Sequence, residues 1–111
     1  MVEVSYVYKA RIIETVDGDT IHAEVDTGFD SWEKKTLRLY GIDAPETGTQ
    51  AGKDAQSYAR SILIPGLLVL IQTVKDRREK YGRYLATIFL SDGTNFNELM
   101  VSSGHAVPYL P

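Results

Sequence analysis

Apolar and polar residues alternate along much of the first forty residues, which is the period of strands with one buried face. Val4–Val16 is rich in β-branched and aromatic residues, and Thr20–Val25 alternates strictly, so each segment is predicted to be a strand. Asp26–Glu33 is predicted to be a polar loop, with Trp32 as a packing or rim residue. A third strand is predicted at Lys35–Tyr40, and the three strands together favour a meander.

Helical spacing replaces this alternation after a loop predicted at Gly41–Gln50. Apolar residues recur at intervals of three and four over Lys53–Leu63, which predicts a first helix. Pro65 and Gly66 follow at once and are expected to end it.

The remainder of the chain predicts two more strands and a second helix. Leu67–Val74 is an almost continuous apolar strand, Lys75–Arg83 is a charged loop, and Tyr84–Leu90 is a fifth strand. Asn95 is expected to cap the second helix, with Glu98 as its capping-box partner. Five strands with a helix between the third and the fourth predict an α+β fold, a five-stranded OB-type β-barrel with two helices.

Composition narrows the classes of function. The 111 residues suffice for one domain, expected over residues 1–111, with one modest core. A net charge of -3 argues against nucleic-acid binding over a broad surface, so such binding would need a local patch. Lys75–Arg83 is the one basic concentration in the sequence. The absence of cysteine excludes disulfides and thiol chemistry.

The N-terminal residues lack the basic, apolar and small-residue regions of a secretory signal. The longest apolar stretch, Ile62–Ile71, is too short to span a bilayer and contains a proline and a glycine. We therefore expect no membrane association. The chain as it stands is expected to be cytoplasmic, or secreted if a signal has been removed.

Most residues suited to phosphodiester chemistry lie in three short segments. They read VDGDT at 16–20, RLYGIDAPET at 38–47 and KYGRYLA at 80–86. In this order and at this spacing they resemble the staphylococcal nuclease (thermonuclease) family, and the resemblance extends from about Val7 to Tyr109. It implies an OB-type barrel that hydrolyses phosphodiester bonds. The chain ends at Pro111, where secreted relatives continue into a third helix, so we expect that helix to be absent.

The first two segments carry two carboxylates suited to a hard cation. Asp19 ends a tight turn and Asp43 ends a strand, so their side chains can converge if the strands are neighbours. Ca²⁺ prefers carboxylate, carbonyl and water oxygens. The resemblance implies that Asp19 and Asp43 bind Ca²⁺ through their carboxylates and Ala44 through its backbone carbonyl. The family often has threonine at position 44, and alanine is compatible because only the carbonyl is used.

Phosphodiester hydrolysis also needs a positioned water and neutralised phosphate charge. Pro45 stiffens the loop before Glu46, and the resemblance implies that Glu46 acts as general base on the attacking water or positions it. Arg38 and Arg83 carry planar guanidinium groups that can hold two phosphate oxygens at once. The resemblance implies that both bind the scissile phosphate and stabilise the charge of the transition state.

Aromatic residues beside the basic loop suit stacked bases and tracked phosphates. The resemblance implies that Lys80, Tyr81 and Tyr109 contact the nucleotide, although a packing role for Tyr109 fits its sequence context equally well. His22 and His105 form neither a metal pair nor a catalytic triad, so we expect structural roles for both.

These residues favour a monomeric, calcium-dependent nuclease that cleaves DNA and RNA, and the resemblance implies 3′-phosphate products. Endonuclease and exonuclease action both remain open. The main alternative is a catalytically inactive domain of the same fold that binds nucleic acid or a protein partner. A generic single-strand-binding OB domain is a third option, but clustered carboxylates in a nucleic-acid groove make sense only with a metal.

Overall fold

Seven strands and two helices make up the computed structural model, which describes residues 6–78 and 82–109. In chain order the elements are β1 (Val7–Asp17), β2 (Thr20–Gly28), β3 (Ser31–Leu39), β4 (Ile42–Asp43), α1 (Gln50–Ile62), β5 (Leu68–Arg78), β6 (Tyr84–Phe89), α2 (Phe96–Ser102) and β7 (Val107–Pro108). Five of the strands close into a barrel in the order β1-β2-β3-β6-β5. β3 and β6 pair in parallel and the other barrel pairs are antiparallel. The predicted five-stranded OB-type barrel with two helices is confirmed.

The core fills the inside of the barrel with the alternate side chains of all five strands. Each helix packs one face against this core. The core-facing residues of α1 are small and let it lie close to β1, whereas those of α2 are larger. Burial of these apolar side chains is the main driving force for closing the barrel. The largest fully buried side chains are Phe96, Ile12, Ile21, Leu37, Leu39, Leu63, Ile71, Ile88, Met100 and Thr15.

The β2–β3 hairpin is longer than the sequence indicated. The predicted polar loop Asp26–Glu33 is mostly paired strand, with Asp26 opposite Trp32, and only Phe29 and Asp30 form the turn. Both turn residues have positive φ, 55° and 58°, as a two-residue hairpin turn requires. The outer end of the hairpin is exposed on both faces, so no hydrophobic alternation marks it as strand.

The start of α1 and the end of β5 also differ from the predicted positions. Helix α1 begins at Gln50 rather than Lys53, because Thr49 caps it and accepts a hydrogen bond from the Gly52 amide at 3.0 Å. The first turn of α1 is mostly polar, so helical periodicity could not locate it. Strand β5 continues to Arg78, into the charged segment predicted as a loop.

A second, two-stranded sheet was missed entirely. β4 lies within the predicted loop Gly41–Gln50 and pairs with β7, so that Ile42 faces Pro108 and Asp43 faces Val107. Each strand has two residues, which is too short for any periodic signal. The pairing ties the end of the described chain to the strand that carries Asp43.

Helix α2 has the predicted N-cap. The Asn95 side chain accepts a hydrogen bond from the Glu98 amide at 3.1 Å. After the helix, Gly104 takes a left-handed φ of 84°, and the His105 amide donates to the Met100 carbonyl at 2.9 Å, which closes the C-terminus. In the described part of the chain neither helix is long and apolar enough to cross a membrane.

Candidate active site

The turn between β1 and β2 brings Asp19 against the loop after β3. Gly18 is buried in this turn, and a Cβ placed on it would lie 3.0 Å from the Cβ atoms of Ala44 and Ala55. Its φ is not in the left-handed region, so glycine supplies space here rather than unusual backbone geometry. The Leu39 amide donates to the Asp19 carbonyl at 2.8 Å and fixes the turn beside the end of β3.

Arg38 bridges two carboxylates at this point. Its Nη1 lies 3.3 Å from Asp19 Oδ2, and its Nη2 donates to Asp43 Oδ1 at 3.1 Å. The side chains of Arg38 and Asp19 are only 13% and 11% exposed, whereas that of Asp43 is 54% exposed. The structure thus brings together three residues predicted to act at one site, with Asp43 on the solvent side.

The donor set around Asp19 and Asp43 fits a hard cation. The Ala44 amide donates to Asp19 Oδ2 at 2.8 Å, which holds the loop that carries both Asp43 and Ala44 against the turn. The described residues contain no group of three or more His, Cys, Asp and Glu side chains that could hold a metal ion. A Ca²⁺ ion here would therefore use two carboxylates and complete its six to eight oxygen ligands with carbonyl oxygen, water or substrate.

Thr20 connects Arg83 to this cluster. Arg83 Nη1 donates to Thr20 Oγ1 at 3.2 Å, and the Thr20 hydroxyl donates to Asp19 Oδ1 at 3.3 Å. Thr20 is 5% exposed and faces Arg38 across the β2–β3 ladder. Thr20 was predicted as the first residue of a strand and as part of the VDGDT motif, but with no role at the site, because nothing in the sequence tells which residue it faces.

The backbone at Glu46 is anchored to the start of α1 while its side chain is exposed. Its carbonyl accepts hydrogen bonds from the Thr49 amide at 3.0 Å and the Thr49 hydroxyl at 2.7 Å. Gly52 packs so closely that a Cβ there would overlap this carbonyl. A carboxylate at position 46 is therefore presented to solvent from a fixed backbone.

Gly52 thus fixes where the backbone at Glu46 lies. Gly52→Ala is expected to displace the Glu46 carbonyl. The overpacking should cost about 1–3 kcal/mol of unfolding free energy, partly offset by the roughly 1 kcal/mol that alanine gains in helix propensity, and a cleavage rate that depends on Glu46 should fall about tenfold. Cleavage kinetics and thermal melting measure both effects. Gly48→Ala is the matched control, because a Cβ at Gly48 meets no atom within 4 Å. Equal kcat in both variants would contradict this role.

Asn97 is another residue whose structural role the sequence did not reveal. Its side chain, in a residue 3% exposed, accepts from the Ile88 amide at 3.1 Å and donates to the Tyr40 and Ala86 carbonyls, both at 3.0 Å. These bonds tie α2 and β6 to the short connection between β3 and β4. The only available signal was a polar side chain on the buried face of an amphipathic helix.

Of the three residues predicted to contact the nucleotide, the structure describes only Tyr109. Lys80 and Tyr81 lie outside the described residues. Tyr109 is 48% exposed, and its amide donates to the Gly41 carbonyl at 2.8 Å, which places it beside β4. The His105 ring stacks on Tyr58 with centroids 4.5 Å apart, which is the kind of packing role expected for this histidine.

Comparison with known proteins identifies the family. The sequence pattern of the family described as staphylococcal nuclease homologue matches residues 36–110. The chain belongs to this family. The matched span includes Arg38, Asp43, Glu46 and Arg83. Asp19 precedes the span, and the fold brings it to the same site.

Several curated relatives of this staphylococcal nuclease homologue carry nuclease names. Endonuclease YhcR of Bacillus subtilis (strain 168) is 28% identical over 113 residues, covering 92% of this chain and 9% of that protein. An uncharacterized endonuclease of Escherichia coli O157:H7 is 34% identical over 99 residues, covering 89% and 60%. Micrococcal nuclease of Shigella flexneri is 26% identical over 110 residues, covering 92% and 59%. The chain spans less than two thirds of the length of each.

Proposed function

We propose that this domain is a calcium-dependent nuclease that hydrolyses the phosphodiester bonds of DNA and RNA as a monomer. The observation that carries the proposal is the Arg38 guanidinium held between the carboxylates of Asp19 and Asp43, with Arg83 joined to the same cluster through Thr20. A site of carboxylates alone would repel the phosphate of a nucleic acid, and a site that only binds phosphate through arginines would have no use for carboxylates. Together they suit phosphoryl transfer with a bound cation.

The metal would be held by Asp19 and Asp43 through their carboxylates and by Ala44 through its carbonyl. When bound, a divalent cation supplies charge that neutralises the phosphate and activates water. The hydrogen bond from the Ala44 amide to the Asp19 carboxylate keeps the two carboxylate-bearing loops at a fixed separation. Asp43 is the more exposed of the two carboxylates, which suits a position facing incoming substrate.

The remaining groups divide the chemistry between them. Glu46 accepts a proton from the attacking water, whose oxygen forms the new bond to phosphorus. The bond from phosphorus to the 5′-oxygen breaks and this oxygen takes a proton from solvent water, so one product carries a 3′-phosphate and the other a 5′-hydroxyl. Arg38 and Arg83 bind the non-bridging oxygens and hold the charge that builds up as the water adds. Lys80, Tyr81 and Tyr109 are proposed to contact the adjoining nucleotide.

This division of roles predicts little discrimination between DNA and RNA. The proposed contacts are to phosphate oxygens and to base faces, neither of which reports base sequence. Nothing in the proposed set depends on the ribose 2′-hydroxyl, which is the group that lets proteins tell RNA from DNA.

The test is incubation of the protein with single-stranded DNA and single-stranded RNA, in calcium and separately in excess chelator. We expect cleavage of both polymers in calcium, 3′-phosphate ends by mass spectrometry, and no cleavage in chelator. Equal cleavage with and without metal would refute the metal role. Tight binding with no cleavage in calcium would instead favour the inactive binding domain.

A further inference from the structure

The outward face of β3 carries a line of side chains that starts at the candidate active site. Arg38, Thr36, Lys34 and Trp32 alternate with the residues that face the barrel interior, so all four lie on the outer side. At about 3.3 Å per residue, the line extends roughly 20 Å from Arg38 to Trp32. We call these four residues the outer track.

Trp32 is held at the far end of the track with part of its ring open to solvent. It is 36% exposed, and the Arg11 guanidinium carbon lies 4.7 Å from the ring centroid. Trp32 is also paired with Asp26 in the hairpin ladder, so its backbone is fixed. The exposed part of the Trp32 side chain is open to a flat partner such as a nucleobase.

The acidic residues near the track are held by other contacts. Glu24, which faces Lys34 across the β2–β3 ladder, lies 3.9 Å from Arg11. Asp26 accepts a hydrogen bond from the Gly28 amide at 2.9 Å, at the hairpin turn. Glu33 is on the opposite face of β3, 3.9 Å from Lys35, where both line the cavity at the barrel mouth. Lys34 is exposed on the track itself, between Trp32 and the active site.

We propose that the outer track binds the single-stranded nucleic acid that flanks the scissile phosphate, with Trp32 as a stacking platform for one base and Lys34 as a phosphate contact. The distance of roughly 20 Å corresponds to about three to six nucleotides, according to how far the strand is extended. A single strand is the occupant because a base must be unstacked to lie on an indole ring. The proposal rests on the proposed nuclease function, because the track begins at its site.

The test compares Trp32→Leu with the parent on two substrates, a dinucleotide and an oligodeoxythymidylate of about twelve residues, which is within the reach of one OB-type barrel. We expect kcat/KM on the longer substrate to fall about tenfold or more and kcat/KM on the dinucleotide to stay unchanged. Trp32→Phe should restore most of the activity on the longer substrate, because phenylalanine also stacks.

Phe29→Leu is the matched control, since Phe29 is a fully exposed aromatic on the same hairpin. It is expected to match the parent on both substrates. The parent protein provides an independent readout because Trp32 is its only tryptophan. In chelator at low salt, the longer oligonucleotide should quench the tryptophan fluorescence and the dinucleotide should not.

Several results would contradict the proposal that the outer track binds a single strand. Equal losses on both substrates in Trp32→Leu would indicate a purely structural residue. An equal loss in Phe29→Leu would place the contact at the hairpin tip, and unchanged fluorescence on binding of the longer strand would exclude stacking. Failure of the nuclease proposal can be told apart from failure of the track proposal. In that case the parent protein would cleave neither substrate, and the fluorescence measurement would still show whether the longer strand binds at Trp32.

Discussion

Glu46→Gln is expected to lower kcat by about 10²–10⁴ while the protein stays folded and binds calcium. Glutamine has the same shape but cannot accept the proton of the attacking water. The Glu46 backbone is held by Thr49 and by the close packing of Gly52, so the amide should occupy the place of the carboxylate. The loss therefore isolates proton acceptance from positioning.

Single-turnover cleavage at saturating calcium measures this effect without interference from product release. Glu33→Gln is the matched control, because it makes the same chemical change at an exposed glutamate on the opposite face of β3 from Arg38. It should cut at the parent rate. If Glu46→Gln cuts as fast as Glu33→Gln, Glu46 is not the base.

Arg83→Lys and Arg38→Lys are each expected to reduce turnover by about 10²–10³. Lysine keeps the charge and any long-range attraction of substrate, but it cannot form two parallel hydrogen bonds to phosphate oxygens. Arg38 also contacts Asp19 and the Leu39 carbonyl, so Arg38→Lys should lower the melting temperature as well. Arg83→Lys tests the second proposed phosphate contact independently.

Arg60→Lys supplies the comparison, since Arg60 is an arginine on α1 whose Nε donates to the Thr15 carbonyl at 3.2 Å. Circular dichroism should report folded protein for all three variants, and only Arg60→Lys should retain parental single-turnover rates. Rates close to the parent in both Arg38→Lys and Arg83→Lys would remove the two arginines from the chemistry and strengthen the case for an inactive binding domain.

The barrel could be predicted because strand alternation depends on local sequence. Residues such as Ile21 and Ala23 must face the interior, and the alternation that buries them also sends Thr20 and Arg38 to the outer face. The motif segments indicated which residues belong together. Only the β2–β3 register explains why Asp19 and Arg38 meet, and that register is a property of the folded sheet.

The features that were missed depend on contacts that no periodic pattern in the sequence marks. The β4–β7 pair has two residues per strand, and Asp43 pairs with Val107, which is 64 positions away in the sequence. Gly52 lies between the predicted loop and the predicted helix, and its close packing is visible only when the Glu46 carbonyl is seen against it. Trp32 was assigned to a loop because an exposed hairpin has no apolar face to mark it.

The dependence of the cleavage rate on calcium concentration, compared between the parent, Asp43→Asn and Asp54→Asn, tests the central claim most directly. Asp43 is 54% exposed, so removing its charge should cost little folding free energy but should weaken the metal site. Asp54 lies on α1 and accepts a hydrogen bond from Gln50 at 2.9 Å. We predict that Asp43→Asn needs about tenfold or more calcium for its half-maximal rate while Asp54→Asn follows the parent curve. Coincident curves for all three proteins would contradict a calcium site at Asp19 and Asp43.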